Sequence, residues 1–266
     1  MGKSNRGISL VLTSAILTSV LCIIVFVASN VANDAINSQI ENAQFDQAKN
    51  VMLALDKLIK RIMYKPESSG YVKTSFWTVT PYFVETEENL AVTVNGQNLL
   101  PNDQISLNTI KFKGGLRVSV AADKELIGDE TLLLTDIVSS LGRVQVYQSL
   151  GAWITLDYSR IRCIYSGTTQ YFTGTSYQTY NLIEITVINL VFKHFEPQEK
   201  ASIIAKNTGL ESKQIEMPEG SNFTILVQKG SDSESCTLID LGGDISYKTL
   251  INVAVVKIEV SILGEA

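Results

Sequence analysis

Ile8 to Ser29 is a run of 22 residues without a charged side chain. As an α-helix it is about 33 Å long, at about 1.5 Å per residue, and the hydrocarbon core of a bilayer is about 30 Å thick. A helix that is apolar all round has to be covered all round, by lipid or by neighbouring helices. A secretory signal carries an apolar stretch of about 7–15 residues that ends at a small-residue cleavage site. The run here is longer, and Asn30-Val31-Ala32-Asn33-Asp34 continues it without Pro or Gly. The segment is therefore predicted to stay on the mature protein as a single membrane helix. Lys3 and Arg6 precede it, and Asp34 and Glu41 follow. That asymmetry places the N-terminus in the cytoplasm and the C-terminal part outside.

The helix is predicted to continue as a stalk. Ile36, Ile40, Ala43, Val51, Leu55, Leu58 and Ile62, with Gln47 as a polar interruption, follow one another at steps of three or four, which is one helical face. No Pro or Gly occurs from Ile8 through Lys65, and Pro66 with Glu67-Ser68-Ser69-Gly70 stops the helix. The expected units are thus a membrane helix over 8–29 and an amphipathic stalk over 30–65, with the helix ending near residue 64. Lys57, Lys60, Arg61 and Lys65 cluster near that end. Lys57 lies about 42 Å past Ser29 along a straight helix, too far for lipid headgroups, so these cations complement the negative end of the helix dipole.

Beyond Gly70 the pattern turns to strands. Val72–Glu85 is rich in aromatic and β-branched residues, and Leu90–Val94 leads into an Asn95-Gly96 turn signal. Further strand-like runs occupy 111–120, 142–148, 152–158, 160–165, 182–191, 202–207, 223–228, 235–239 and 253–262. In the last, Val256, Ile258, Val260 and Ile262 alternate with Lys257, Glu259 and Ser261. The expected fold class is α+β: a long N-terminal helix followed by a mostly antiparallel β-sandwich region. Its parts are a β-rich domain over 66–197 and a stretch over 198–266, which is a second sheet domain or a continuation of the first. The join is expected near Pro197.

Composition and motifs exclude several classes. The net charge is −5, with 22 basic and 27 acidic residues, so no nucleic-acid surface is expected. His194 is the single histidine, and no cysteine lies two to four residues from Cys163 or Cys236, so no metal site is expected. The Gly114-Gly115 and Gly242-Gly243 pairs lack the spacing of a phosphate loop. The acidic turn Gly230–Ser235 is too short for an EF-hand and reads as a solvated turn. No constellation has catalytic spacing, so the expectation is a non-enzyme without cofactor. Cys163 and Cys236 are either a disulfide, if this region lies outside the cytoplasm, or buried free thiols. Asn222-Phe223-Thr224 is a glycosylation sequon.

The junction Lys3-Ser4-Asn5-Arg6-Gly7-Ile8, a short basic leader and a glycine before an unbroken apolar helix, resembles the leader of type IV prepilins. The resemblance covers residues 3–60 and is strongest to archaeal pilin-like surface proteins, whose starts read much like Arg-Gly-Ile-Ser-x-Val. It implies a leader over 1–7, a prepilin peptidase that cuts between Gly7 and Ile8, and a helix that anchors in the membrane or packs into a filament core. Bacterial members carry a glutamate five residues after the cut. Leu12 stands there in this chain, so pairing of that side chain with a neighbour's N-terminal amine is not expected. Small residues permit close helix approach, and Ser14, Ala15, Thr18 and Ser19 share one face through their four-apart spacing. Two readings follow. One is a pilin-like cell-surface protein that self-associates into an adhesion filament. The other is a monomeric, membrane-anchored β-sandwich module that binds an envelope or surface ligand.

Overall fold

The computed structural model describes residues 6–75, 77–100, 105–172, 174–196, 198 and 200–264, with side chains described from residue 12. The leader residues 1–5 and the expected join at Pro197 lie outside the described residues.

One helix, α1, runs from Arg6 to Ile62 (57 residues), two residues short of the expected end. Strands follow in chain order. They are β1 (Ser69–Ser75), β2 (Thr80–Val84), β3 (Asn89–Val94), β4 (Gln97–Asn98), β5 (Ile105–Ser106), β6 (Thr109–Lys113), β7 (Lys124–Ile127) and β8 (Leu133–Leu134). Then come β9 (Arg143–Gln148), β10 (Ala152–Asp157), β11 (Ile161–Phe172), β12 (Tyr177–Phe195), β13 (Lys200–Met217), β14 (Thr224–Lys229), β15 (Asp232–Thr237) and β16 (Lys248–Gly264). The chain is α+β, an apolar N-terminal helix followed by a mostly antiparallel strand region.

The strands form three sheets. A long sheet has the order β1-β13-β16-β12-β11-β8, a side sheet β2-β6-β10-β9-β7, and a third sheet β15-β14-β3-β4 with β5 on β3. In the long sheet β12 pairs parallel with β16, and β8 with β11, and the other pairs are antiparallel. Strands from either side of the expected 197/198 boundary share this sheet, because β1 pairs with β13 and β12 with β16. The stretch over 198–266 was expected to be a second sheet domain or a continuation of the first. In the structure β13 and β16 extend the long sheet, and β14 pairs with β3.

Two hydrophobic cores use the long sheet. One gathers the second half of α1, the side sheet, and Ile188, Leu190, Ala201, Ile203, Ala205, Val256, Ile258, Val260 and Ile262. The other gathers the third sheet with Ile161, Cys163, Ile183, Ile185, Val187, Ile251, Val253 and Val255. Successive side chains of a strand point to opposite faces. On β12 the buried positions change from odd to even between Val187 and Ile188, and on β16 between Val255 and Val256, the residues paired with them. The two cores therefore lie on opposite faces of the same sheet, one at each end.

The packed face of α1 is Glu41, Phe45, Ala48, Met52, Leu55, Ile59 and Ile62, at steps of four and three. Met52, Leu55 and Ile59 are fully buried, each contributing roughly 1.5–3 kcal/mol of apolar burial. Val51 and Ile62 are buried as expected, and Leu58 is half-buried against Gly70, where a Cβ would overlap its side chain. The expected stripe fails lower down. Ile36 and Ile40 are 55% and 46% exposed, and Ala43 and Gln47 are exposed too. The packed face is rotated from the predicted one, and it begins with a carboxylate, Glu41, that an apolar stripe does not include.

The helix ends on a side chain supplied by the long sheet. Asn207 is fully buried, and its amide donates to the carbonyls of Ile62 (3.0 Å) and Met63 (3.1 Å). Its backbone exchanges bonds with Glu67 and Ser68 in the segment after the helix. A register shift between Asn207 and Gly209 lies at this point of β13. A bulge of that kind re-aims a side chain, here into the helix end. Lys60 and Arg61 occupy the last turn, where their charge complements the dipole.

Candidate functional site

The apolar half of α1 emerges bare from the head. Residues 12–36 are all exposed, and the window long and apolar enough to cross a membrane is 0% buried. Gly7 and Ile8 lie in the first turns of α1 by their backbone. Ser14, Ala15, Thr18 and Ser19 are exposed. The Thr18 hydroxyl donates to the Ser14 carbonyl (2.8 Å) and the Ser19 hydroxyl to the Ala15 carbonyl (2.9 Å). Each hydroxyl is thus satisfied inside its own helix and imposes little desolvation cost in an apolar environment. What this face offers a neighbour is small volume.

Two of the three loops at one end of the side sheet grip the helix where it leaves the head. The ends of all three lie together, since Thr80 pairs with Lys113, Lys113 with Trp153, and Ala152 with Gln148. In the loop after β6, Glu41 accepts from the Arg117 backbone N–H (2.7 Å) and pairs with its guanidinium (3.1 Å), which also reaches Asp34 (3.1 Å). Those two carboxylates raise the Arg117 pKa further. Gly115 lets the loop lie against Glu41, because a Cβ there would overlap the carboxylate, and Gly114 sits against the Phe45 ring. In the loop before β2, Thr78 donates its backbone N–H (2.7 Å) and hydroxyl (2.6 Å) to Gln44 Oε1.

A second anchor lies higher on the helix. Asp56 is fully buried, accepts from the Tyr158 hydroxyl (3.0 Å) and pairs through Oδ2 with Lys60 (2.7 Å). Burial, and then the charge of Asp56, hold the Tyr158 phenol well above its usual pKa. Gly142 makes room, since a Cβ there would overlap the Asp56 carboxylate. Glu41, Asp56 and Asn207 escape a search for apolar periodicity. The trace they leave is a polar residue in phase with the packed face, or immediately ahead of a basic run.

The remaining candidates are dispersed. Cys163 and Cys236 are brought together in the core beneath the third sheet, both buried and both free thiols. The hydrogen bond between them, with burial, raises Cys163, and the same bond lowers Cys236. Asn222 is exposed in the segment before β14, while Phe223 of the same sequon is fully buried. His194 is exposed beside Glu196 (3.2 Å). Among the described residues no group of three His, Cys, Asp or Glu side chains is placed to hold a metal ion. One aromatic groove missed in the sequence opens between β2 and the end of β12. Phe83 stacks on Phe192 at 4.3 Å and tilts against Phe195 at 5.1 Å, with Tyr82, Glu85 and Lys193 at its rim. Comparisons with protein-family models, with curated proteins and with solved structures give no match to this chain.

Proposed function

We propose that the chain is a cell-surface structural protein of the archaeal type IV pilin-like kind. Its N-terminal helix crosses the membrane once, with the N-terminus cytoplasmic, and the β-sandwich head stands outside. The observation that carries this reading is the division of one 57-residue helix into a bare apolar half and a half buried in the head. The buried half makes the head rigid on its anchor, so contacts made by the head are transmitted to the membrane or to a filament. After cleavage by a prepilin peptidase between Gly7 and Ile8, the bare half packs against copies of itself through Ser14, Ala15, Thr18 and Ser19. The protein works without catalysis or cofactor.

Mass spectrometry of the N-terminus of protein from its native host tests the processing. The expected species begins at Ile8, and Gly7→Val leaves the leader attached. An intact N-terminus on the native protein refutes the prepilin reading. Ala15→Leu with Ser19→Leu keeps the segment apolar but adds bulk to the close-contact face, so filaments seen by electron microscopy should vanish while anchoring survives.

The aromatic groove beside Phe83 favours a second reading, a monomeric anchored module that holds a surface or envelope ligand such as a carbohydrate. Native protein that runs as a monomer in detergent, from cells without filaments, selects this reading over the first.

A further inference from the structure

The head holds two cysteines, since Cys22 lies in the bare half of α1. The fold brings the two together in the distal core from different sheets. Cys163 is on β11 of the long sheet and fully buried, and Cys236 is on β15 of the third sheet and 5% exposed. A nearby contact aligns the two strands. The Glu234 carboxylate of β15 accepts from the Leu133 backbone N–H (2.9 Å), and Leu133 pairs with Ile161 of β11. Two residues further along each strand, about 7 Å, stand Cys236 and Cys163. There the Cys163 S–H donates to the Cys236 sulfur.

Little else holds β15 down. Among the described residues it is an edge strand that pairs with β14 alone, and it reads Asp232-Ser233-Glu234-Ser235-Cys236-Thr237. Cys236 is its one buried side chain. A thiol is a small hydrophobe and contributes little apolar burial. The opposite edge of the same sheet is tied to the long sheet by Lys213 Nζ on the Asn98 carbonyl (2.9 Å). On the β15 edge, a strand of acids and hydroxyls sits on the core through the one residue that can bond covalently to what lies beneath it.

We propose that Cys163 and Cys236 are joined by a disulfide in the mature protein, which staples the edge of the third sheet to the long sheet. The proposal rests on the reading that the head stands outside the cytoplasm, where disulfides form and persist. The oxidant is a thiol–disulfide exchange partner, an oxidoreductase disulfide or oxidised glutathione. Opening of the edge strand exposes Cys236. Its thiolate attacks the acceptor's S–S bond, forms a mixed disulfide and releases one acceptor thiol. Cys163 then attacks the Cys236 sulfur and releases the second. One S–S bond forms and one breaks, the two cysteine protons pass to the acceptor's sulfurs, and the acceptor takes the two electrons that the pair loses. The closed loop from 163 to 236 restricts the unfolded chain, so the bond stabilises the head.

The test uses the full chain. Protein from the membranes of its native host is denatured in N-ethylmaleimide and digested for mass spectrometry. The expected species is a peptide pair linked through Cys163 and Cys236, lighter by two hydrogen atoms than the free pair, with Cys22 alkylated. A membrane-impermeant amine reagent on intact cells reports separately, through exposed lysines such as Lys193, whether the head is outside. Purified chain that is reduced, unfolded and refolded in detergent with a glutathione redox buffer should form the same link and melt about 10 °C above the chain kept reduced. Cys163→Ala and Cys236→Ala should each lose that gain, and reductant should then leave their melting temperatures unchanged, which lost packing alone does not produce. Alkylated Cys163 and Cys236 in native protein whose head lysines are labelled overturn the disulfide and keep the anchor reading. Alkylated cysteines in a head closed to the reagent overturn the outside placement and the disulfide with it. A refolded chain that forms the bond without a rise in melting temperature overturns the staple.

Discussion

Asn207→Ala removes the side chain that joins the helix end to the long sheet. Three hydrogen bonds go with it: donation to the Ile62 and Met63 carbonyls and acceptance from the Gly209 N–H (3.1 Å). The Ile62 carbonyl retains Ser68 and Lys65 as donors, so the loss is less than three full bonds plus three buried orphans. A neutral bond contributes about 1 kcal/mol net, and a buried group left unpaired costs about 1–3 kcal/mol, which gives about 3 kcal/mol here. For a head of this size that is a drop of about 6–12 °C in Tm. Asn207→Asp separates a cap from mere packing. It sets a carboxylate against two carbonyl oxygens at the negative end of the helix, so at pH 7 it should be less stable than Ala. The same contact raises the pKa of the new carboxyl in the folded state. Its neutral form then donates one bond, and stability returns as pH falls and is lost again as pH rises through the folded pKa. Thermal unfolding of the full chain in detergent, followed by circular dichroism from pH 4 to pH 8, reads both effects. An Ala variant melting within about 2 °C of wild type, or an Asp variant no worse than Ala at pH 7, refutes the cap.

Leu55→Asp puts a charge into a fully buried position and should cost about 3–5 kcal/mol, read by denaturant unfolding; an unchanged midpoint would mean that the face is not packed. Thiol labelling of reduced native protein in mild detergent should find only Cys22 reactive, because Cys163 and Cys236 are buried. Unfolding should expose all three thiols. The carboxyls of Asp136, Asp240 and Asp244 are held below 3.8, by the Ser139 backbone N–H, the Thr237 hydroxyl and the Ser246 hydroxyl respectively. Depressed carboxyls stabilise the fold above their unfolded pKa and lose that contribution as pH falls through the folded one. Tm should therefore decline below about pH 4, and replacing all three by Asn should flatten that decline.

The helix was legible because a charge-free run and an unbroken absence of Pro and Gly act locally. Its packed face was harder to read. Apolar periodicity selected Ile36 and Ile40, which are exposed, and passed over Phe45, Met52 and Ile59, because the true stripe starts on Glu41 and carries Asp56 beside it. Those acids are tolerated because Arg117 and Tyr158 meet them from elsewhere in the chain and Lys60 from the next turn of the same helix. Strand positions were legible from β-branched and aromatic runs, but partners were not. Nothing local tells residues 200–217 to lie between β1 and β16, or residues 224–229 to pair with β3, since pairing is decided by faces buried across long separations. The strained turn at Leu150 was not legible either, since that residue looks ordinary until its φ and its exposure are known together.

The change of buried face on β12 and β16 also explains how two cores on one sheet hold a single register. Val187-Ile188 and Val255-Val256 are adjacent apolar pairs that break the alternation, and they lie on neighbouring rungs of the β12–β16 ladder. The polar residues change parity at the same place: Glu184 and Asn252 are exposed on one side of it, Lys257 on the other. Slipping a strand by one residue moves its apolar set to the opposite face. On β12 a slip would carry Ile183, Ile185 and Val187 out of the distal core and Ile188 and Leu190 out of the helix-bearing core at once. The cost is then the sum over both cores, and neither can relax without the other. The helix face sits in the same frame, because Asn207, opposite Ile258 in the ladder, fixes where α1 ends. Register in the distal core, register in the helix-bearing core and the axial position of α1 on the head are thereby set by one set of strands.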